Sequence, residues 1–418
     1  MLRIPGVLRR VGPGLITGAA DDDPSGIATY SQAGAQLGLH SLWSVVFAWP
    51  LVVAVQVICA RIGVVTGRGL AANLHKNLPR PLLLIVVSAL LIANTLNIAA
   101  DLAAIGDAIQ LVLGGPQHLY SLGAGLLCAL LQILIPYERY VRVLKWLTLS
   151  LLAYTGVIFT VHIPWQEVMR DAVLPNIQWT PGYISMIVAI FGTTISPYLF
   201  FWQTAHEIED RKMRRKSKSA TTKELSTELR RVRHDTTFGM GVSCFIAFFI
   251  MLTTAVTLHV SGVTDIQTSS QAAEALRPVV GQFAFLLFAL GIIGSGLLAV
   301  PVLAGSAAYA VAESFERPAG LSLQPAEARV FYSVIAVATL GGAALDFTPI
   351  DPIKALYWSA IVNGIVAVPL LFLILWMAGL PRVLGEFVVK GRLLLLGVVA
   401  AVVMAICAVS LLVLTIQT

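Results

Sequence analysis

Two short polar stretches interrupt long apolar segments of this chain, and they contain side chains of the kind that bind metal cations. The first reads Asp22-Asp23-Pro24-Ser25-Gly26, and the second reads Thr193-Thr194-Ile195-Ser196-Pro197. Charged groups and helix-breaking prolines are costly inside a membrane span, where they usually mark a binding site or a transport route. The pair therefore predicts two broken spans whose carboxylate, hydroxyl and freed carbonyl oxygens face a cation.

Each stretch supplies different donors for such a site. We predict that Asp23 binds the metal, with Asp22 beside it and Gly26 contributing through its backbone or through water. Thr193 and Ser196 add hydroxyl groups. The alternative for the second stretch is a simple proline kink, in which Ser and Thr hydroxyls bond to their own helix. The alternative for the aspartates is a surface loop, against which the small and apolar residues on both sides argue.

Composition places these stretches in a membrane protein. The chain has 418 residues, of which 57% are hydrophobic and 12% are charged, about half the charged fraction of a soluble protein. The pattern predicts an all-α polytopic membrane protein with one transporter domain over residues 1–418 and about eleven spans. The predicted spans are 12–38, 42–66, 81–114, 120–136, 143–162, 183–209, 236–260, 281–312, 328–346, 353–379 and 393–416.

The two broken spans divide the chain into halves. Repeat one covers about 12–162 and repeat two about 183–379, and an extra helix follows at about 393–416. Each half opens with a proline-broken helix. A five-plus-five inverted repeat of this kind places its substrate near the bilayer midplane, between the two broken helices.

The basic residues predict the orientation in a cell membrane. With the N-terminus in the cytoplasm, all but Arg170, Arg277 and Lys354 of the 28 Lys and Arg residues lie on the cytoplasmic side. We expect a bacterial inner membrane. The basic segment at about 211–234 is predicted to be a solvated cytoplasmic connector, with lipid binding or regulation as the alternative. Contact with anionic lipid explains the net charge of +6, so no nucleic-acid partner is expected.

Several function classes lack their motifs in this chain. Nothing resembles the nucleotide-binding pattern G-x-x-x-x-G-K-[ST], which argues against an ATP-driven pump. No metalloprotease motif, Cys/His cluster or nucleophile elbow suggests an enzyme. The expected partners are a divalent metal ion as substrate and the lipid bilayer, with no resident cofactor and no nucleotide, and the oligomeric state stays open.

At these residues the chain resembles the NRAMP family of divalent metal transporters. The resemblance extends over most of the chain and implies a LeuT-like fold with metal bound between the first and sixth helices. The matching motifs are Gly12-Pro13-Gly14-Leu15, Gln32-Ala33-Gly34-Ala35, Ala100-Asp101-Leu102-Ala103 and the G-x-T-[VI]-x-P pattern at Gly192 to Pro197.

The chain departs from the family at the metal ligands. The usual D-P-G-N motif is D-P-S-G here, so Gly26 stands where an Asn ligand is expected. The usual A-x-x-M-P-H motif has Thr193 at the Ala position and Ser196 at the Met position. Oxygen ligands favour hard ions, and Mg²⁺ keeps several waters when bound. The pattern therefore resembles the magnesium transporter branch of the family, with Mn²⁺ accepted and Al³⁺ left open.

The residues that the family associates with proton movement are also changed. Tyr198 and Gln203 replace two histidines, and Ala104 stands where an acidic partner is common. We expect weak or absent proton coupling, because a relay needs groups that titrate near neutral pH. The nearby His206 is assigned to the cytoplasmic end of its helix rather than to a relay. The alternative function is a conventional proton-coupled Mn²⁺/Fe²⁺ importer.

Other polar residues in the spans are candidates for the ion pathway. Asp101 and Asp107 lie on the third span, Tyr198 and Gln203 follow the proline of the sixth, and Asn363 lies on the tenth, together with Ser359. Polar packing between helices is the alternative for the tenth-span pair. A transporter of the same fold for a small organic solute is a less favoured function, because Asp23 would repel a substrate carboxylate. A non-transporting sensor is the third hypothesis.

Overall fold

The computed structural model describes residues 13–135, 149–214, 222–347 and 351–417, and it contains no β-strand within those ranges. Shorter helices such as Leu70–Asn77 and Trp165–Val173 connect the longer ones. The helices that build the membrane domain are α1 Pro13–Asp21, α2 Pro24–Leu37, α3 Leu42–Thr66, α4 Arg80–Leu113, α5 Gln117–Leu134, α6 Pro181–Thr194, α7 Pro197–Arg214, α8 Thr222–Thr254, α9 Ala284–Ser314, α10 Arg329–Leu345, α11 Pro352–Ala378 and α12 Arg392–Gln417.

These helices agree with the predicted spans. Within the described ranges, eight helical segments are long and apolar enough to cross a membrane. One of them, Pro24–Thr66, contains the second half of the first predicted span and the whole of the second. The fifth and ninth predicted spans correspond to the shorter apolar helices Ser150–Thr160 and Arg329–Leu345. The first part of the fifth span, 143–148, lies outside the described residues.

Proline and capping residues explain where several helices begin. Proline occupies the first position of α2, α6, α7 and α11, where its fixed φ suits a helix and its missing N–H costs nothing. Thr180 caps α6 by accepting from the amide of Tyr183 at 3.3 Å. Asp351 caps α11 by accepting from the amide of Ile353 at 2.9 Å. The helix breaks at Pro24 and Pro197 are therefore also the starts of new helices.

The outer surface of α12 is apolar, as expected for a helix that faces lipid. An exposed apolar face of this length on a folded protein marks contact with a membrane or a partner. The large apolar side chains exposed along it are Leu395, Val398, Val399, Val402, Ile406, Val409, Leu412 and Val413.

Small residues let the helices around the two breaks approach closely. Gly192 of α6 lies against the backbone of Gly364 in α11, where an added Cβ would be 2.6 Å from the Gly364 nitrogen. Gly14 of α1 lies against the backbone of Thr236 in α8 in the same way, again at 2.6 Å. Such contacts are typical of packing between membrane helices. They fix both broken helices against their neighbours.

The predicted loop at 211–234 differs from what we find. Residues 222–234 are the first turns of α8, while 215–221 lie outside the described residues. The reason is an apolar stripe at helical spacing: Leu225, Leu229 and Val232 pack against Ala60 and Val64 of α3. This half of the basic segment is therefore helical, and most of its residues are exposed.

Candidate metal-binding site

The first break is the two-residue segment Asp22-Asp23 between α1 and α2. Helix α1 ends at Asp21, and α2 begins at Pro24. Asp23 has extended backbone angles (φ −72°, ψ 169°) and caps α2 by accepting from the Gly26 amide through Oδ1 at 2.6 Å. The N-terminal amides of α2 therefore hold one Asp23 oxygen in place.

The second oxygen of Asp23 is held from two other helices. Nδ2 of Asn97 in α4 donates to Oδ2 at 3.1 Å. The hydroxyl of Tyr198 in α7 lies 3.4 Å from the same Oδ2 and donates to the carbonyl of Ala20 at 3.0 Å. Asp23 is 1% exposed, so its carboxylate sits in a fixed, enclosed position at the centre of the bundle.

Asp21 and Asp22 turn away from this position, towards α8. The hydroxyl of Ser243 lies 2.6 Å from Oδ2 of Asp21 and 3.1 Å from Oδ1 of Asp22. Both carboxylates are buried. The structure therefore separates Asp22 from the hydrogen bonds that hold Asp23, and the role predicted for Asp22 in metal binding stays a prediction.

At the second break, hydroxyl groups bond to the end of their own helix. Helix α6 ends at Thr194, and α7 begins at Pro197. Ser196 donates towards the carbonyls of Gly192 at 2.8 Å and Thr193 at 2.5 Å, and Thr194 donates to Ile190 at 2.7 Å. These are the bonds of a proline kink, yet the lone pairs of Ser196 stay available, because the hydroxyl proton points at the backbone.

The two breaks contact each other. The hydroxyl oxygens of Ser25 and Thr193 are 3.5 Å apart, and Tyr30 in α2 bonds to the Thr194 hydroxyl at 2.9 Å. A Cβ added to Gly26 would lie 3.3 Å from the Thr193 hydroxyl. The structure therefore brings Asp23, Gly26, Thr193 and Tyr198 together, with Ser196 on the same turn of chain as Thr193.

Helix α4 contributes a second carboxylate that hydrogen bonding leaves unsatisfied. Asp101 is fully buried, and neither of its oxygens has a hydrogen-bond partner among the described residues. Its carboxylate faces the backbone of Ser25 at the N-terminal end of α2. It also lies close enough to Asp23 for the two negative charges to repel each other. A buried carboxylate with too few donors is costly unless it also has a positive partner, which a cation bound beside Asp23 would provide.

Asn97 is a site residue that the sequence interpretation missed. It lies four positions before Asp101 and so shares a face of α4 with it. Its own Oδ1 accepts from Nδ2 of Asn363 in α11 at 3.3 Å. The polar residues at 94, 97 and 101 of an otherwise apolar helix were the signal available in the sequence. Asn363, a predicted pathway residue, reaches Asp23 through Asn97.

Gln203 starts a hydrogen-bonded chain that leads from α1 to the basic end of α8. The hydroxyl of Thr17 in α1 donates to Oε1 of Gln203, and Nε2 of Gln203 donates to Glu207 at 3.0 Å. Arg231 then donates to Glu207 at 2.9 Å and to Asp210 at 3.2 Å. Gln203 therefore belongs to this hydrogen-bond network and is not among the residues that contact Asp23.

The acidic groups at the end of this hydrogen-bond network already contact a cationic side chain. Carboxylate oxygens of Glu207, Asp210 and Glu228 lie within 4.8 Å of one another, but Arg231 donates to all three. One guanidinium therefore bonds to all three carboxylates and offsets one of their charges. His206, assigned from the sequence to the end of this helix, is buried with its ring 5.3 Å from that of Trp202.

A cavity of about 280 Å³ lies between α4 and α11. Ala100 and Ala103 line it on one side, and Ser359 and Val362 line it on the other. Ser359 is one helical turn from Asn363, so the cavity adjoins the polar chain that ends at Asp23. Asp107, which was also predicted to line the pathway, is half-buried beside Ser269 and does not lie at the breaks.

A helical bundle with two interrupted helices opposed around a buried carboxylate has the architecture of a LeuT-like membrane transporter. The family model described as natural resistance-associated macrophage protein-like (Nramp) matches residues 14–414. The chain therefore belongs to the Nramp family, and it is a multi-pass membrane transport protein rather than an enzyme.

Relatives and solved structures agree with this placement. The chain is 27% identical over 298 residues to the divalent metal cation transporter MntH of Yersinia pestis (strain Pestoides F), covering 69% of each chain. It is 27% identical to MntH of Klebsiella pneumoniae (strain 342), covering 69% of this chain and 68% of the relative.

Among solved structures, a manganese transporter from Eremococcus coleocola superposes with a TM-score of 0.75 at 17% identity, over 99% of this chain and 88% of that one. Mhp1, a nucleobase-cation-symport-1 family transporter, superposes with a TM-score of 0.57 at 14% identity, over 98% of this chain and 93% of that one. At these identities the likeness shows the shared fold.

Proposed function

We propose that this protein transports divalent metal cations, favours hydrated Mg²⁺ and accepts Mn²⁺, with weak or absent proton coupling. The observation that carries the proposal is the chemistry of the two breaks. Residues 21–26 and 193–198 offer carboxylate, hydroxyl and carbonyl oxygens and no sulfur or imidazole. Oxygen ligands suit hard cations, and Mg²⁺ usually keeps several of its waters in protein sites.

The described contacts support a site that holds an ion together with water. Asp23 supplies the negative charge, and buried Asp101 supplies a second one nearby. Gly26 lets the two broken helices approach closely, because a Cβ there would lie only 3.3 Å from the Thr193 hydroxyl. Ser196 offers lone pairs, since its proton is directed at the Gly192 and Thr193 carbonyls. Access then alternates by motion of the broken helices.

The expectation of weak proton coupling rests on the positions after Pro197. Tyr198 donates to a backbone carbonyl, and Gln203 joins Thr17 to Glu207. Neither side chain changes charge near neutral pH in the way that histidine does. Asp23 and Asp101 are the acidic groups that would face the transported ion.

A second candidate function is a conventional proton-coupled Mn²⁺/Fe²⁺ importer. The observation in its favour is the naming of the relatives, which are called divalent metal cation transporters, and of the superposed manganese transporter. Retention of Asp23 and Asp101 is compatible with either function. The two candidates differ in the ion that is carried and in whether protons move with it.

Uptake into proteoliposomes decides between them. Purified protein is reconstituted with an ion-sensitive dye and a pH-sensitive dye inside the vesicles, and Mg²⁺ and Mn²⁺ are added separately. We expect Mg²⁺ entry without matching acidification, and loss of entry in Asp23→Asn, which keeps the cap on Gly26 but removes the charge. Selective Mn²⁺ entry with acidification and no response to Mg²⁺ would establish the second candidate.

We also propose that the N-terminus is cytoplasmic, in a bacterial inner membrane. The support is the distribution of Lys and Arg along the sequence. A single cysteine introduced at exposed Lys223, at the start of α8, should react with a membrane-impermeant reagent only in inverted vesicles. A reaction in right-side-out vesicles would reverse the orientation.

A further inference from the structure

Asn97 links the Asp23 carboxylate to two helices of the bundle. Its Nδ2 donates to Oδ2 of Asp23 at 3.1 Å, and its Oδ1 accepts from Nδ2 of Asn363 at 3.3 Å. All three side chains are buried, with exposed fractions of 0 to 1%. The result is a polar chain that runs from the first break through α4 to α11.

The charge on Asp23 dictates the direction of every bond in this chain. An ionised carboxylate only accepts, so the amide nitrogen of Asn97 must face it. The carbonyl of Asn97 then faces Asn363, which must present its own nitrogen. Oδ1 of Asn363 is left without a hydrogen-bond partner among the described residues. The orientation of both amides therefore follows from a single charged group.

The same bonds limit what Asp23 can offer a metal ion. An ionised carboxylate has about four lone-pair positions in all. On Oδ1, the Gly26 amide occupies one of them, and on Oδ2 the Asn97 amide occupies another. The Tyr198 hydroxyl at 3.4 Å crowds Oδ2 further. One position on each oxygen is therefore taken, and Oδ2 is the more crowded of the two oxygens that a metal ion could contact.

We propose that Asn97 is a positioning residue that sets the ion preference of Asp23 by keeping Oδ2 out of direct contact with the metal. The proposal rests on the proposed role of Asp23 in binding the transported ion. Mg²⁺ gives up its waters reluctantly and loses little when Oδ2 is covered. Mn²⁺ accepts direct oxygen ligands and is disfavoured when one is withheld.

The test uses Asn97→Leu, which keeps the approximate size and removes the donor. Asn94→Leu is the matched control, because Asn94 is fully buried on the same helix and donates to the Leu303 carbonyl at 2.9 Å, away from Asp23. Mn²⁺ and Mg²⁺ binding to the purified full-length protein are measured by calorimetry. We expect Asn97→Leu to bind Mn²⁺ about ten-fold more tightly, the effect of one hydrogen bond to a charged group, with Mg²⁺ little changed.

Other outcomes of this experiment separate the possibilities. If Asn97→Leu and Asn94→Leu change the ion affinities equally, Asn97 has only a packing role. The same conclusion holds if Asn97→Leu binds Mn²⁺ and Mg²⁺ more weakly by the same factor. If Asn97→Leu does not fold, Asn97→Ala removes the same donor with a smaller side chain and must raise the Mn²⁺ to Mg²⁺ affinity ratio in the same direction. An unchanged ratio there also overturns the proposal.

The proposed function fails by a different result. A wild-type protein that binds Mn²⁺ but not Mg²⁺ refutes the magnesium preference, whereas the gain in Mn²⁺ affinity in Asn97→Leu is still measured. A wild-type protein that binds neither ion overturns both proposals.

Discussion

The phenol of Tyr198, just after the second helix break, and the carboxylate of Asp23, in the first, are neighbours. The hydroxyl lies 3.4 Å from Oδ2. The hydroxyl donates to the carbonyl of Ala20, the last residue but one of α1. Tyr198 therefore connects α7 to the end of α1 at the point where the first helix breaks. It does so at a position where the family resemblance implies a histidine.

Tyr198→His should introduce pH dependence into metal uptake. An imidazole beside Asp23 would change charge between pH 5 and 8, which a phenol does not. We expect wild-type uptake to be nearly flat over that range and uptake by Tyr198→His to fall at the acidic end, where a positive ring repels the cation. Tyr198→Phe is the control: it removes the bond to Ala20 without adding a titrating group. A flat profile for Tyr198→His would show that this position does not face the ion.

Ser196→Met should shift preference towards softer ions. A thioether favours transition metals over Mg²⁺, and the substitution also uncovers the Thr193 carbonyl, which Ser196 caps at 2.5 Å. We expect stronger Mn²⁺ and Cd²⁺ binding and slower Mg²⁺ uptake, measured by competition in proteoliposomes. Ser196→Ala separates the two causes, because it uncovers the carbonyl without adding sulfur. Unchanged selectivity in both variants would remove Ser196 from the site.

Arg231 should be needed for stability because it neutralises a buried acid. Glu207 is 0% exposed and accepts from Arg231 at 2.9 Å. Removing one partner of a buried ion pair costs about 3–5 kcal/mol, so Arg231→Leu should lower the melting temperature markedly. The double variant Arg231→Leu with Glu207→Gln should recover part of that loss in a double-mutant cycle. Additive losses would mean that the two residues act independently.

Much of the architecture could be predicted from the sequence, because hydropathy and proline positions are local signals. The two breaks appear where Pro24 and Pro197 predict them, and both begin new helices. The helical start of α8 was missed because a high density of charge concealed Leu225, Leu229 and Val232 at helical spacing. A composition-based interpretation of that segment gives a loop, whereas its periodicity gives a helix.

The partners of individual side chains were less accessible to sequence reasoning. Nothing local indicates that Asp22 turns to Ser243 while Asp23 turns to Asn97, because both partners lie on helices that are distant in sequence. Whether Asn97 belongs to the site depends on how α4 is rotated against α2. That rotation is a property of packing between distant segments. The sequence therefore predicted the positions of the breaks better than the set of residues around them.

Gly18 should be intolerant of even the smallest side chain, because α1 packs on α8 backbone to backbone at this point. A Cβ on Gly18 would overlap the carbonyl of Gly239. Gly18→Ala gains helix propensity, about 1 kcal/mol in an open site, but here it must push α1 away from α8 at an overpacking cost of roughly 1–3 kcal/mol. We expect a lower melting temperature and strongly reduced uptake.

The matched control for Gly18 is Gly341→Ala in α10, where nothing lies within 4 Å of the added Cβ. That substitution gains the same helix propensity without a clash, so its melting temperature should be equal to or above that of the wild type, with normal uptake. The comparison isolates the contact between α1 and α8, because both variants change one helical glycine by one methyl group. If Gly18→Ala were as stable and as active as Gly341→Ala, close packing of α1 would not be required for transport.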